Sequence, residues 1–272
     1  MVSSTAGTIL LVGAGNMGGA MLSGWLKSGV AGRSLAVLDP APSQEMLQQI
    51  DDAGACHFTA PPSKLGVDVI FLAVKPQAMD AVLPPLKHLV GARTVVVSVA
   101  AGKTLGFLGG HLGEAAMVRA MPNTPAMIGR GVTGAFANDR VTDIQRSQVD
   151  ALLKVSGPVE WVGHEADIDA VTALSGSGPA YVFYLVECMA EAGRKLGLPA
   201  DLAMRLARET VAGAGELLHR SAEPASRLRQ NVTSPGGTTA AALSVLMAEE
   251  GMQPLFDKAL AEAHKRAQEL GG

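Results

Sequence analysis

The stretch Ser234 to Thr239, with the sequence Ser-Pro-Gly-Gly-Thr-Thr, combines residue types that could hold an anionic ligand. Pro235 and the two glycines predict a turn, and the alanine-rich run Ala240 to Glu250 predicts a helix that begins beside it. Glycines let the backbone approach a ligand closely, and the free N–H groups at a helix start attract anions. With two threonine hydroxyls at the same place, the stretch could bind a carboxylate and contact a neighbouring polar atom. A capped helix after a tight turn, without any ligand, is the alternative.

A second group of residues, near the N-terminus, has the G-x-G-x-x-G spacing of a phosphate-binding loop. The six residues of this fingerprint are Gly13, Ala14, Gly15, Asn16, Met17 and Gly18. An apolar run from Thr8 to Val12 predicts a strand before it, and helical character from Met17 to Ser28 follows it. A second apolar run, Leu35 to Leu38, ends in Asp39. This order predicts a dinucleotide-binding βαβ unit, whose glycines serve the turn, the pyrophosphate and helix–strand packing. A tight turn beside a surface aspartate is the alternative.

Asp39 bears on which dinucleotide is bound. A carboxylate at this place can accept hydrogen bonds from both hydroxyls of the adenosine ribose, and it repels a 2′-phosphate. No Arg or Lys follows Asp39 within about 20 residues to accommodate that phosphate. The residues therefore favour NADH, although Ser43 or another loop could still serve a phosphate.

Further apolar runs predict the rest of a parallel sheet. The predicted strands are Asp68 to Val74, Thr94 to Val99, Ala116 to Ala120, Gly131 to Ala137 and Val159 to Val162, with a helix from Thr142 to Val155 between the last two. The first three end in small or polar loops, and ligands of doubly wound folds bind at that edge of the sheet. Lys75 would lie there, with an ordinary strand-end lysine as the alternative. Asn123 would lie there too, or form an Asx turn between two prolines.

From Asp167 onward the sequence predicts helices alone. They cover Pro179 to Leu196, Ala200 to His219, Pro224 to Arg229, Thr239 to Glu250 and Pro254 to Leu270. Broad apolar stretches such as Tyr181 to Val186 predict burial against another subunit, so we expect at least a dimer. The predicted fold is α/β, with an N-terminal Rossmann-type doubly wound sheet in residues 1–163 and an all-α dimerisation domain in residues 164–272.

Composition argues against several classes of function. The net charge of −3 and the lack of a basic cluster speak against nucleic acid as the main partner. No apolar run reaches the roughly 18 residues of a membrane span, and no positive charge precedes Lys27 as in a signal peptide. Cys56 and Cys188 are isolated, which predicts small core residues in a reducing, cytoplasmic compartment. None of the six histidines pairs at metal-ligand spacing, so no bound metal is expected.

The helical part has no obvious catalytic Lys or His near Ser234 to Thr239. A ketone or alcohol substrate normally needs a strong proton donor or acceptor. A substrate that is already cationic does not, so the absence favours a substrate of that kind.

Over nearly its whole length the chain resembles the Δ1-pyrroline-5-carboxylate reductase family. Besides the fingerprint, the matching segments are Ala73 to Pro76, Val97 to Gly102, Met121 to Pro125, Asp169 to Tyr181 and Asn231 to Thr239. The last two are highly specific, whereas the fingerprint is shared with many dehydrogenases. The resemblance implies reduction of the cyclic imine pyrroline-5-carboxylate to L-proline, the last step of proline biosynthesis. It also implies NADPH or NADH as cofactor, with NADPH the commoner choice, and a homodimer that in such families often assembles into a decamer.

The same resemblance implies roles for individual residues. The cofactor-binding residues would be Gly13, Ala14, Gly15, Asn16, Met17, Gly18, Asp39, Ala73, Val74, Lys75, Pro76, Val99, Ala100, Ala101 and Asn231. The substrate-binding residues would be Glu165, Ser234, Gly236, Gly237, Thr238 and Thr239. Backbone N–H groups of the loop would hold the substrate carboxylate, and Thr239, the catalytic residue, would hydrogen-bond the ring nitrogen. Glu165 lies where the family has a residue near the product.

Two other functions compete with this one. A β-hydroxyacid-type dehydrogenase would need a lysine on a helix of the second domain, and Lys195 is available only at a helix end, beside a glycine stop. A non-catalytic nucleotide-binding sensor would need no second anion site, which the stretch Ser234 to Thr239 argues against.

Overall fold

An eight-stranded sheet organises the first part of the chain. The computed structural model describes residues 7–271. Its strands are β1 (Ile9–Val12), β2 (Leu35–Leu38), β3 (Cys56–Phe58), β4 (Val69–Leu72), β5 (Val95–Ser98), β6 (Ala116–Pro122), β7 (Thr133–Ala137) and β8 (Val159–Trp161). The spatial order is β3-β2-β1-β4-β5-β6-β7-β8. Among these strands, β6 and β7 form the antiparallel pair and all other neighbours are parallel. The order of the first six is that of a dinucleotide-binding fold, which confirms the predicted doubly wound sheet.

Helices cover both faces of this sheet. They are α1 (Asn16–Lys27), α2 (Gln44–Ala53), α3 (Met79–Leu86), α4 (Leu105–Leu112), α5 (Asp143–Leu153) and α6 (Asp167–Val171). Short 3-10 turns lie at Gly32–Ser34, Pro76–Ala78, Lys87–Leu89, Thr124–Ile128 and Lys154–Ser156. One core cluster contains Trp25 of α1 and Val149 of α5, and the other contains Leu83 of α3 and Leu108 of α4. Alternate residues of the buried strands fill the two clusters, as expected for a sheet covered on both faces.

The remaining helices follow a π-helical turn at Thr172–Gly176. They are α7 (Gly178–Lys195), α8 (Ala200–Arg220), α9 (Ala225–Asn231), α10 (Thr238–Leu246) and α11 (Met252–Gly271). The chain divides into two compact units, one of residues up to Gly176 with those from Ala263 onward, and one of Ser177–Glu262. The domain boundary predicted after residue 163 lies before this division, and it stays a prediction.

The second unit buries little of its apolar surface by itself. Within Ser177–Glu262, the side chains that the structure describes as buried are those of Ala190, Ala203 and Ala207. Larger side chains stay accessible, among them Phe183 at 61% and Val245 at 70%. Apolar surface on this scale is characteristic of a protein interface.

Both cysteines were predicted to be core residues, and the structure contradicts this. Cys56 is exposed because β3 is a short strand at the edge of the sheet. Cys188 is exposed on α7, and the interaction of its thiol with the Tyr184 hydroxyl raises the pKa of that phenol. Within residues 7–271, no helix is long and apolar enough to cross a membrane. The same residues contain no group of three or more His, Cys, Asp or Glu that could hold a metal ion.

Candidate cofactor and substrate sites

The glycine fingerprint forms the turn from β1 into α1. Gly13 has a φ of +88°, a backbone conformation that L side chains rarely adopt, and its N–H donates to the Leu38 carbonyl at 2.9 Å. A Cβ on Gly18 would lie 2.0 Å from the Gly13 carbonyl oxygen, so only glycine permits this packing of helix against loop. These two positions therefore need glycine for reasons internal to the fold.

Gly15 is different, because no contact within the described chain requires glycine there. A Cβ at Gly15 would meet no heavy atom of the described chain within 4 Å. Gly15 is also the N-cap residue of α1, and no side chain among residues 7–271 caps that helix. The start of α1 thus presents uncapped N–H groups beside open space, an arrangement that fits the pyrophosphate of a dinucleotide.

Asp39 ties the fingerprint to the end of β2. Its Oδ2 accepts a hydrogen bond from the Ala14 N–H at 2.7 Å, and its Oδ1 accepts one from the Ala41 N–H at 2.9 Å. The carboxylate is half-buried and fixed between two loops. An ionised carboxyl has about four lone-pair sites, so it can still accept hydrogen bonds from ribose hydroxyls.

A cleft of about 460 Å³ lies at the carboxyl ends of β1, β2 and β4. It is lined by residues that include Gly13, Gly15, Asp39, Ala73, Val74 and Lys75, most of its wall being apolar. Pro76 begins the 3-10 turn that follows Lys75. The structure therefore brings the fingerprint, the acidic residue and the loop after β4 to one concave surface.

A second groove, of about 510 Å³, lies on the other side of Asp39 between α1 and α2. Its lining includes Ala14, Asn16, Asp39, Ser43 and Glu45. Ser43 caps α2, since its side chain accepts a hydrogen bond from the Met46 N–H. Two carboxylates therefore border the region where β2 leads into α2.

The loop after β5 contains Val99, Ala100 and Ala101. The Val99 N–H donates to the Leu72 carbonyl at 3.1 Å, which places the loop beside the end of β4. Gly102 closes the loop with a φ of +69°. A Cβ on Gly102 would lie 2.7 Å from Cβ of Leu270, so the end of α11 packs directly on this loop.

The candidate substrate loop belongs to the second unit. Gly236 has a φ of +69°, and the Gly237 N–H donates to the Ser234 carbonyl at 3.0 Å. Gly237 is the N-cap of α10, and no side chain in the described part of the chain caps this helix. The expected loop at a helix start is therefore present, with Thr238 and Thr239 as the first helical residues.

The expected site residues fall into two sets, one on each unit. The fingerprint, Asp39 and the loops after β4 and β5 lie in the first, as does Glu165. Asn231 and the loop of Ser234 to Thr239 lie in the second. In this structure the Asn231 amide donates to the Glu223 carboxylate at 3.0 Å.

Sequence reasoning did not identify the surroundings of Glu165. Its Oε1 accepts a hydrogen bond from the Leu105 N–H at 2.6 Å and lies 3.6 Å from Nη1 of Arg119. Arg119 stands inside the otherwise apolar strand β6, and a charge at a buried strand position was the signal available in the sequence.

Comparison with known proteins agrees with this geometry. Residues 165–270 match the family model described as pyrroline-5-carboxylate reductase dimerisation. A pyrroline-5-carboxylate reductase of Pseudomonas aeruginosa is 39% identical over 263 residues, covering 96% of this chain and 96% of that protein. The chain belongs to the pyrroline-5-carboxylate reductase family.

Solved structures of this family share the fold. A pyrroline-5-carboxylate reductase from Coxiella burnetii superimposes with a TM-score of 0.91 at 36% identity, covering 98% of this chain and 100% of that one. The Plasmodium falciparum pyrroline carboxylate reductase, solved with NADP bound, gives a TM-score of 0.80 at 27% identity over 97% of this chain and 98% of that one. Residues 8–102 also match a family model described as NADP oxidoreductase coenzyme F420-dependent. A nicotinamide cofactor is thus the ligand of the nucleotide-binding part of this family member.

Proposed function

We propose that the protein reduces 1-pyrroline-5-carboxylate to L-proline with a nicotinamide dinucleotide. The observation that carries this proposal is the start of α10. In this member of the pyrroline-5-carboxylate reductase family, a Pro-Gly-Gly loop precedes the helix, whose N-cap residue is Gly237. No side chain within residues 7–271 caps the first N–H groups of the helix. Such a helix start fits the carboxylate of the substrate.

The first unit would hold the cofactor. The uncapped start of α1 beside Gly15 would receive the pyrophosphate, and Asp39 would receive the adenosine ribose. Ala73 to Pro76 and Val99 to Ala101 would line the rest of the dinucleotide, and Asn231 would contact it from the helical domain. When bound, the reduced nicotinamide supplies the hydride.

The second unit would hold and orient the substrate. Backbone N–H groups at Ser234, Gly236, Gly237 and Thr238 would bind the carboxylate. The Thr239 hydroxyl would hydrogen-bond the ring nitrogen and orient the imine carbon. A protonated cyclic imine carries its own electrophilic charge, so positioning and exclusion of water are the main tasks left to these residues.

We further propose that NADH is preferred over NADPH. Support comes from the fixed Asp39 carboxylate and from Glu45, which border the same groove at the start of α2. Both would repel a 2′-phosphate, whereas Asp39 can accept hydrogen bonds from ribose hydroxyls. The NADP-bound Plasmodium relative argues for the other cofactor in that protein.

We also propose a homodimer, which can assemble further into a decamer. The matched dimerisation model and the exposed side chains of Phe183 and Tyr184 on α7 support the dimer. A helical unit whose buried residues, as far as the structure describes them, are alanines gains most of its core from a second copy. A cytoplasmic location stays a prediction.

Chiral analysis of the product tests the proposed reaction. The full-length protein would be incubated with racemic pyrroline-5-carboxylate and either reduced nicotinamide cofactor. Formation of L-proline in step with oxidation of the cofactor is expected. Tight binding of NADH without any proline formed would favour the nucleotide sensor instead.

A further inference from the structure

Arg119 is a buried cation to which the proposed reaction assigns no role. It stands in the middle of β6, and its side chain is 3% accessible. Burying a guanidinium is unfavourable unless the charge is paired and hydrogen-bonded. Its neighbours on β6 are apolar and cannot pair with it, so its partners must come from elsewhere in the fold.

Two carboxylates from one segment pair with this guanidinium. Nη2 donates to Oδ1 of Asp169 at 2.7 Å, and Nη1 lies 3.6 Å from Oε1 of Glu165. Each terminal nitrogen of the guanidinium thus contacts a different carboxylate. Nε has no hydrogen-bond partner among residues 7–271. The planar fork of arginine suits this arrangement, whereas the single ammonium of a lysine does not reach two separate carboxylates equally well.

Glu165 is held from a second direction as well. Its Oε1 accepts the hydrogen bond from the N–H of Leu105, the first residue of α4. Both contacts involve this one oxygen, and the side chain keeps 27% of its surface accessible. The protein therefore orients the carboxylate, while the Glu165 side chain as a whole keeps part of its surface accessible.

Strand β6 and the residue after it also contact the far end of residues 165–176. The residue after β6, Asn123, donates from Nδ2 to Oγ of Ser175 at 3.3 Å, and its Oδ1 accepts from the Val132 N–H at 3.0 Å. Strand β6 and the residue that follows it therefore contact residues 165–176 near both ends. The second compact unit begins directly afterwards, at Ser177.

We propose that Arg119 is a positioning residue for substrate binding. It fixes the Glu165 carboxylate, and with it the segment that leads into the helical unit, without touching the substrate itself. This inference rests on the proposed function and on the position near the product that the family resemblance implies for Glu165.

A double-mutant cycle between Arg119→Gln and Glu165→Gln tests the inference in the full-length protein. If Arg119 acts through Glu165, each single variant raises the KM for pyrroline-5-carboxylate about tenfold or more, and the KM for the dinucleotide changes less than about threefold. In the Glu165→Gln background, Arg119→Gln then adds less than about twofold, because its target is already lost. Arg119→Lys keeps the charge but not the planar fork, so its KM for pyrroline-5-carboxylate is expected to lie between those of Arg119→Gln and the wild type.

Arg140→Gln is the matched control. Arg140 is an exposed arginine that pairs with Glu114 at the surface, and its replacement should leave both KM values unchanged. The inference would be overturned if the effects of Arg119→Gln and Glu165→Gln on the KM for pyrroline-5-carboxylate multiply in the double variant. It would also be overturned if the Arg119→Gln protein has the wild-type KM. If Arg119→Gln does not fold, Arg119→Lys replaces it in the same cycle. If neither folds, Arg119 is required for folding itself, and a specific positioning role for substrate binding is overturned.

Failure of this inference and failure of the proposed function are distinguishable. A wild-type protein that does not turn over pyrroline-5-carboxylate contradicts the function. A wild-type protein that turns it over, while Glu165→Gln and Arg119→Gln keep its KM, contradicts only the role of Arg119.

Discussion

The carboxylate of Asp39 accepts a hydrogen bond of 2.7 Å from the N–H of Ala14, so the acidic residue after β2 also helps to hold the glycine loop. In the proposed function, this one side chain links the geometry of the proposed pyrophosphate site to the proposed preference for NADH over NADPH. A change at Asp39 is expected to affect both, and kinetics with each cofactor separates the two effects.

We predict that Asp39→Ser raises the ratio of kcat/KM for NADPH to that for NADH by about tenfold or more, equivalent to about 1.4 kcal/mol. The replacement removes the repulsion of a 2′-phosphate and the acceptor for the ribose hydroxyls. Steady-state kinetics with each cofactor measures the ratio. Asp52→Asn, which changes an exposed carboxylate on α2, is the control and should leave the ratio unchanged. An unchanged ratio in Asp39→Ser would refute the assigned role of this carboxylate.

Thr239→Ala is predicted to lower kcat/KM for pyrroline-5-carboxylate by about 100-fold or more, as expected for a lost partner of the reacting nitrogen. Thr239→Ser should keep most of the activity if the hydroxyl alone matters. Ser244→Ala provides the control, because that hydroxyl lies on the same helix and donates to the Ala241 carbonyl. A loss of kcat/KM below about threefold in Thr239→Ala would show that Thr239 has no role in the reaction.

Alanine at Gly18 and alanine at Gly15 should affect different properties, the first the stability of the protein and the second its affinity for NADH. Gly18→Ala forces a Cβ towards the Gly13 carbonyl oxygen and is predicted to lower the free energy of unfolding by about 1–3 kcal/mol. Gly15→Ala meets no atom of the described chain within 4 Å, so its stability should stay near wild type while the Kd for NADH rises about tenfold or more. Thermal unfolding and calorimetric titration measure the two quantities. Wild-type NADH affinity in Gly15→Ala would show that the pyrophosphate does not approach there.

Gly102→Ala is predicted to destabilise the protein by more than about 1 kcal/mol, since alanine is strained at positive φ. Its Cβ would also press on Leu270 at 2.7 Å. Gly109→Ala, within α4 and with open space around its Cβ in the described structure, is the matched control and should stabilise by about 0.5–1 kcal/mol. Urea unfolding of both variants measures these changes. Equal stability of the two would mean that α11 does not pack on the loop after β5.

Phe183→Glu is predicted to shift the protein towards monomers, because it puts a charge on the proposed dimer face of α7, where the wild-type side chain is 61% exposed in one chain. Light scattering after size exclusion measures the mass. Ile144→Glu changes a side chain of the first unit that is 82% exposed and should keep the wild-type mass. A Phe183→Glu protein with the wild-type mass would place the interface elsewhere.

Much of the sheet could be predicted from the sequence because its strands are continuous apolar runs between glycine, proline and polar loops. Leu35–Leu38 was predicted with the bounds that the structure has, and most other strands differ by one or two residues at their ends. Strand β3 was missed because its three residues, Cys56–Phe58, have no apolar pattern and pair at the edge of the sheet. The exposure of Cys56 follows from the same position.

Other features depend on contacts between distant residues, and sequence patterns do not report those. Arg119 pairs with Asp169, which lies 50 positions further along the chain, and the charge within β6 does not indicate which residue pairs with it. The π-helical turn at Thr172–Gly176 has no local signal either. The loop of Ser234 to Thr239 was predicted as a helix start because its proline, glycines and following alanines act locally, and the structure places it there.

The most direct test of the account is the steady-state reduction of pyrroline-5-carboxylate by the wild-type protein, run in parallel with NADH and NADPH. The account predicts turnover with a dinucleotide that binds, and a higher kcat/KM with NADH than with NADPH. The absence of turnover with either cofactor, in protein shown to bind the dinucleotide, would contradict the proposed reductase activity.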